Sequence, residues 1–311
     1  MKLKPLEVGD LWRLDPCWAG LPADRRDGLE AALTSGSWGI LAQAEGVDLG
    51  YALYAARAPY RPATFAADPK AAEIVALGVR PDRRARGVGK SLLHAVGEAS
   101  AASGIGTLVA TVAPDDTDGL RFFSSQSFLP AWTLLARLGS SPSNPQGPEG
   151  LTVKAVLPAE VEDLRSLWLT LHRHHQSVAP ELGPFVDEAR SWDLIGALFR
   201  KAAESDLLLR MDEAGRAVAL IWVAKTDVVL PLLADRPAAG GLAEIKVLIV
   251  ADRLRGKGIG TGLLNEAANR LRALGVTDLM VGAIHPNRHA IRLYRREGFR
   301  PVGLELFRRA P

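Results

Sequence analysis

Residues 253–264 read RLRGKGIGTGLL. They follow an apolar run, Ile245 to Val250, and lead into Leu263, Leu264, Ala267, Leu271 and Leu274 at helical spacing. The stretch is therefore a strand end, a glycine-rich turn and the start of a helix. Gly256, Gly258, Gly260 and Gly262 remove four Cβ atoms from it. Its backbone N–H groups and the positive end of the helix can then close around an anion, most naturally a phosphate. Two phosphate loops are excluded by counting. The dinucleotide pattern G-x-G-x-x-G places its third glycine on Leu263 or Thr261, depending on the starting glycine. The ATP loop would need a glycine at Ala251 and a hydroxyl at Gly258.

The same stretch occurs twice. A shift of 171 residues lays Glu73–Leu93, EIVALGVRPDRRARGVGKSLL, on Glu244–Leu264, EIKVLIVADRLRGKGIGTGLL, without a gap and with nine identities in twenty-one positions. The identities fall where a strand face, an anion turn and an apolar helix face need them, so the chain reads as a repeated domain. Gly87-Val88-Gly89-Lys90-Ser91 in the first copy could pass for an ATP loop, but the first glycine of that loop would have to be Arg84.

With the repeat in hand, Arg255-x-x-Gly258-x-Gly260 resembles the acyl-CoA pyrophosphate loop of the GNAT superfamily of N-acetyltransferases. Asn287-x-x-Ala290-x-x-Leu293-Tyr294-x-x-x-Gly298-Phe299 resembles the second signature of that superfamily, at the expected spacing. The resemblance implies an α/β (α+β) fold of two tandem domains, each a mixed, mostly antiparallel sheet flanked by helices. Acetyl-CoA is the implied acyl donor and a primary amine on a small molecule or peptide the acceptor, joined in a ternary complex with no metal. The implied cofactor contacts are the strand end Leu248, Ile249 and Val250, the turn Arg255, Gly256, Lys257, Gly258, Ile259, Gly260 and Thr261, and Asn287. The first copy offers Val79, Arg84, Gly87, Val88, Gly89 and Lys90. Backbone N–H groups at the strand end would stabilise the oxyanion.

In the family the tyrosine protonates the departing thiolate, a role the resemblance gives to Tyr294. A phenol with a reference pKa of about 10 holds its proton at neutral pH and can do so. Glu244, on the strand feeding the turn, is the candidate base, since a partly buried carboxylate with a raised pKa can accept the proton of the amine. Glu73 occupies the same place in the first copy, which leaves a shared structural role open. The shift of 171 sets Asp116 against Asn287, Phe123 against Tyr294 and Ser127 against Gly298. The first copy keeps the turn and loses the phenol, so one half works and the other binds acyl-CoA without turnover or buttresses its partner. A non-catalytic acyl-CoA sensor is the rival reading.

The 311 residues suit two domains of ordinary size. Gly139–Gly150, GSSPSNPQGPEG, has no large apolar residue and reads as a linker, giving domains 1–138 and 151–311. The net charge of +3 is too small to argue for nucleic acid, although Arg83, Arg84 and Arg86 cluster at one turn. A single cysteine, Cys17, allows no internal disulfide, and no apolar run is long enough to span a bilayer. A soluble, cytoplasmic protein is expected, with a homodimer possible. His172, His174 and His175 fan around a helix axis and cannot converge on a metal, so helix capping is the better reading, with Arg173 among them. His285, at a strand end before Asn287, is a candidate proton shuttle or a plain loop histidine. The early helices of both halves, at 11–17 and 25–33 and at 158–175 and 186–203, and the connection 228–241 would set acceptor choice. Little chain follows Phe299, so the usual last strand is shortened, merged or supplied by the other domain.

Overall fold

The computed structural model describes residues 1–7, 10–11, 14, 33, 36–57, 71–139, 151–226 and 241–309. Cys17, the linker after Gly139, nearly all of the first half's early helices and most of the 228–241 connection lie outside them.

The strands are β1 (Lys2–Pro5), β2 (Trp38–Ala44), β3 (Val47–Arg57), β4 (Ala71–Val79), β5 (Thr107–Val112) and β6 (Leu129–Arg137) in the first half. The second half supplies β7 (Thr152–Ala155), β8 (Leu207–Glu213), β9 (Arg216–Lys225), β10 (Gly241–Val250), β11 (Val276–Ile284) and β12 (Arg300–Arg309). Helices α1 (Val88–Ala102) and α2 (Thr117–Ser125) follow β4 and β5; α3 (Arg165–Val178) and α4 (Glu188–Ser205) follow β7; α5 (Ile259–Ala273) and α6 (Arg288–Arg296) follow β10 and β11. The β2–β3 turn is Glu45–Gly46, both left-handed, and the segment from Pro158 starts as a 3₁₀ turn that becomes α-helical at Arg165.

All strands form one 12-stranded sheet in the order β1-β2-β3-β4-β5-β12-β6-β11-β10-β9-β8-β7. Only β4·β5 and β10·β11 are parallel. The last strand of each half lies in the other: β12 pairs with β5 from Leu304↔Val112 to Arg309↔Thr107, and β6 pairs with β11 from Leu279↔Arg137 to Ile284↔Trp132. Of the three fates expected for the final strand, supply by the other half is the one observed, and it is reciprocal. Side chains seal the exchange. Arg137 of β6 donates to the Glu297 carbonyl at 3.1 Å and stacks 5.1 Å from the Phe299 ring. Its counterpart Arg308 of β12 donates to the Gln126 carbonyl at 3.2 Å and stacks 5.1 Å from Phe128.

Alternation along the strands divides the core by face. Leu108, Ala110, Val112 and Leu306 pack under α1 and α2; Ile245, Val281, Ala283 and Leu135 pack under α5 and α6. A bulge between Ile245 and Val247 turns the end of β10 over, so Val247 and Ile249 lie on the opposite face with Trp168, Trp192 and Phe199 of α3 and α4. Leu263 and Leu264, where helix spacing predicts the inward face of α5, are fully buried, each contributing roughly 1.5–3 kcal/mol by area. Arg210 is buried on the α3–α4 face and is held by Asp212 at 2.7 and 3.0 Å and by Asp163 at 3.0 Å. Among the described residues no helix is long and apolar enough to cross a membrane.

Candidate active site

Each half contains a slot between two parallel strands. Pairing of β10 with β11 stops at Ile245↔Val281, yet β10 continues to Val250 and β11 to Ile284. Outer edges stay anchored, β10 on β9 as far as Val250↔Ala219 and β11 on β6 as far as Ile284↔Trp132. The inner edge of β10, including Leu248, Ile249 and Val250, therefore has no strand partner. In the first half β4 and β5 part after Ile74↔Ala110, the same two positions under the shift of 171.

At the mouth of the second slot the chain leaves β10 through a 3₁₀ turn, Asp252–Leu254, pinned by buried Leu254. Arg255 donates from Nε to the Val250 carbonyl at 3.3 Å and pairs with Asp252 at 2.7 Å. Gly256 and Gly258 have φ of +77° and +79°. A Cβ at either would meet nothing within 4 Å, so glycine serves the backbone angle there and the space in front of the turn is open. Helix α5 begins with Ile259, whose burial fixes the helix start, followed by Gly260 and Thr261. No side chain caps this end, and the amides of a first turn have no intrahelical acceptor. Exposed Arg255 and Lys257 place two positive charges beside the turn. Thr261 Oγ1 is committed to Glu297 at 2.9 Å, which ties the start of α5 to the end of α6.

The first half reproduces the turn. Arg84 Nε donates to the Val79 carbonyl at 3.3 Å, Gly87 has φ of +82°, Val88 is buried, and Ala85 stands at φ +57° where the second half has Gly256. A Cβ at Gly89 would lie 3.1 Å from the Phe122 ring, so this copy is tighter than the one at Gly260, whose nearest neighbour would be 3.6 Å away. Lys90 is exposed on α1.

Asn287 caps α6, its Oδ1 accepting from Ala290 N at 3.1 Å. The cap uses one lone pair of the carbonyl oxygen, and the side-chain amide keeps two N–H donors. Asp116 makes the same cap, accepting from Gly119 N at 2.8 Å, but its carboxylate brings no N–H. Tyr294 is 5% exposed and belongs to the buried cluster that also contains Ile245 and Val281, the last paired residues before the strands part. Its ring lies 5.5 Å from Phe299; the first half repeats this pair as Phe123 and Phe128 at 5.0 Å. Glu244 is half-buried one residue before the split. It alternates with Ala243 and Ile245 onto the α3–α4 face and is paired with Lys246.

The histidines do fan out, and His175 is the basic residue in the last turn of α3. His172 is fully buried and its Nε2 lies 2.9 Å from the Val186 carbonyl. His175 sets its ring edge-on to Trp132 of β6, and Arg173 pairs with Glu188 at 2.6 and 2.7 Å. His174 reaches the mouth: burial pushes it below the usual imidazole range, nearby Arg255 pushes it further, and a hydrogen bond with Asn287 opposes both. No spacing in the sequence announces this contact, because it depends on α3 crossing the end of the sheet. His285 Nδ1 lies 3.0 Å from Thr133 Oγ1, and burial with Arg288 lowers its pKa. Among the described residues no group of acidic, histidine or cysteine side chains could hold a metal.

Comparison with known proteins gives the same outline. The family model described as "Acetyltransferase (GNAT) family" matches residues 7–128 and 166–299. A mycothiol acetyltransferase of Clavibacter michiganensis subsp. michiganensis is 29% identical over 252 residues, 77% of this chain and 72% of the relative. One from Parafrankia sp. is 27% identical over 346 aligned positions, covering 99% and 97%. Among solved structures, a GCN5-related N-acetyltransferase from Sphaerobacter thermophilus shares the fold at a TM-score of 0.59 and 18% identity, over 99% of this chain and 95% of its own. A tandem GNAT protein from the clavulanic acid biosynthesis pathway does so at 0.52 and 19%, over 100% and 98%.

Proposed function

The chain belongs to the GNAT acetyltransferase family, and on that premise we propose that residues 151–311, completed by β6, transfer an acetyl group from acetyl-CoA to a primary amine. The observation that carries this reading is the second slot: an uncapped, glycine-lined helix start and an asparagine amide at its mouth, with a tyrosine packed beside its apex. The turn from Arg255 to Gly260 holds the diphosphate. Asn287 donates its amide to the cofactor arm, and the unpaired edge at Leu248 to Val250 turns its N–H groups to the acetyl carbonyl as negative charge develops. Glu244, on the face of α3 and α4, takes a proton from the acceptor's ammonium directly or through water, and the free amine then attacks the thioester carbonyl. Tyr294 gives its proton to the departing thiolate. Holding both reactants in one slot supplies much of the rate by orientation, so few catalytic groups suffice.

The first half, 1–138, has the anion turn without the asparagine amide or the phenol, and we assign it no turnover. The test is thiol release from acetyl-CoA against a panel of primary amines. We expect Tyr294→Phe to cut turnover by about 10²-fold or more while acetyl-CoA affinity stays within about twofold, a margin well under 1 kcal/mol. Unchanged turnover would remove Tyr294 as the acid. Acetyl-CoA binding with no turnover on any amine would favour the sensor reading.

A further inference from the structure

Strand exchange carries Glu305 of β12 into the first half. Its side chain is 4% exposed. Oε2 accepts from Arg57 at 2.8 Å, and Oε1 has no hydrogen-bond partner among the described residues. A buried carboxylate oxygen left without a donor is costly, so this one is built to receive something. Glu73 stands on the same face of the sheet, 3.9 Å from the same guanidinium. Burial raises its pKa; Arg57 opposes that and Glu305 adds to it. Among the described residues two carboxylates thus share one arginine.

The cluster sits at the apex of the first slot. Glu73 pairs with Val109 one step before β4 and β5 part, and Glu305 is opposite Thr111 of β5 just beyond the parting. In the second half the position equivalent to Glu305 is Leu134 of β6, opposite Gly282. The first half is therefore not a worn copy of the second, since it has gained a buried acid at this position.

We propose that Arg57, Glu73 and Glu305 form a binding site for a primary ammonium group in the first half. Carboxylate oxygens only accept hydrogen bonds, so the ligand must bring N–H or O–H donors. The excess negative charge selects a cation and rejects phosphates and carboxylates. Two carboxylates, one already engaged by arginine, are a poor set for a metal ion. An alkylammonium fits, and the buried indole of Trp132, directly across from Glu305 on β6, offers its carbon skeleton an apolar wall. The site does not depend on acetyl transfer in the second half. It shares β12 with that half, however, because the strand follows directly on Phe299, the ring against Tyr294.

The test uses full-length protein labelled with ¹⁵N and the indole N–H resonance of Trp132, assigned by its loss in Trp132→Phe. Ethylammonium chloride should shift that resonance saturably, whereas tetramethylammonium chloride, which has no N–H, should not at equal ionic strength. Glu305→Gln should weaken the ethylammonium response at least tenfold, and Glu73→Gln, at a half-exposed position that tolerates change, at least threefold. Glu73→Gln also answers the question should Glu305→Gln fail to fold. The proposal is overturned by no response to ethylammonium in the parent protein, by equal responses to the two cations, or by parental responses in the folded glutamine variants. None of these readouts uses acetyl transfer, so the outcome is independent of the activity assay.

Discussion

Gly258→Ala is the most direct probe of the anion turn. At φ +79° an L-residue is held in the left-handed region, which costs roughly 1–2 kcal/mol. The new methyl group meets nothing within 4 Å, so no steric term is added. Fewer unfolded conformations return about 0.4–1 kcal/mol. The net loss should be about 1 kcal/mol, equivalent to about fivefold in an equilibrium constant. Where it appears is informative. If the turn keeps its shape, the urea midpoint falls and acetyl-CoA affinity is unchanged. If residue 258 escapes to negative φ, the first amides of α5 turn away from the mouth, stability is kept and affinity falls by fivefold or more. Urea unfolding and calorimetric titration with acetyl-CoA, run on the same preparation, separate the two. The mirror experiment is Ala85→Gly, which relieves a strain already present in the first half and should be neutral to mildly stabilising. A Gly258→Ala protein as stable as its parent and binding acetyl-CoA as tightly would refute the view that the turn requires glycine for its backbone angle.

Three further outcomes are expected. In Gly78→Ala the new Cβ would lie 2.3 Å from the ring of fully buried Tyr51, so urea unfolding should show a loss of about 1–3 kcal/mol; a neutral result would mean that β3 and β4 yield more easily than their register implies. Arg210→Ala removes hydrogen bonds to Asp212 and Asp163 from a site where the arginine is 2% exposed; Lys154 still lies 3.5 Å from Asp212 and Asp163 is exposed, so the loss in the same assay should be about 1–3 kcal/mol. His174 has its folded pKa held below the unfolded value of 6.5, so the unfolded chain binds the extra proton first. Its contribution is present above pH 6.5 and is lost as pH falls through the folded pKa. His174→Gln should flatten the fall in urea midpoint below pH 6.5, and an unchanged profile would sink the assignment.

The turn and its repetition were legible in sequence because they are local. Their chemistry survives in backbone angles as well as in letters: left-handed residues recur at 85 and 256, 87 and 258, and 127 and 298, although two of those pairs differ in residue type. Asn287 was legible as a motif residue, while its oxygen's commitment to a helix cap was readable only once the start of α6 was fixed. The reach of His174 to the mouth and the acid carried by Glu305 were not legible. Each depends on elements brought together from distant parts of the chain, and nothing within ten residues of either position encodes the neighbour.

Strand exchange also explains why a half with Phe123 in place of Tyr294 keeps its own sheet and anion turn. The outer wall of the second slot is β11, and its partner on that side is β6, from the first half. Without β6, β11 would be an edge strand with a row of unpaired backbone groups where a rigid wall is needed. Arg137, also on β6, holds Phe299 and the end of α6, and so sets the floor under Tyr294. The reciprocal strand β12 closes β5 and delivers Glu305 to the first slot. Each slot is thus walled by the other half's last strand, and loss of the phenol from one half leaves undiminished the need for that half's β6.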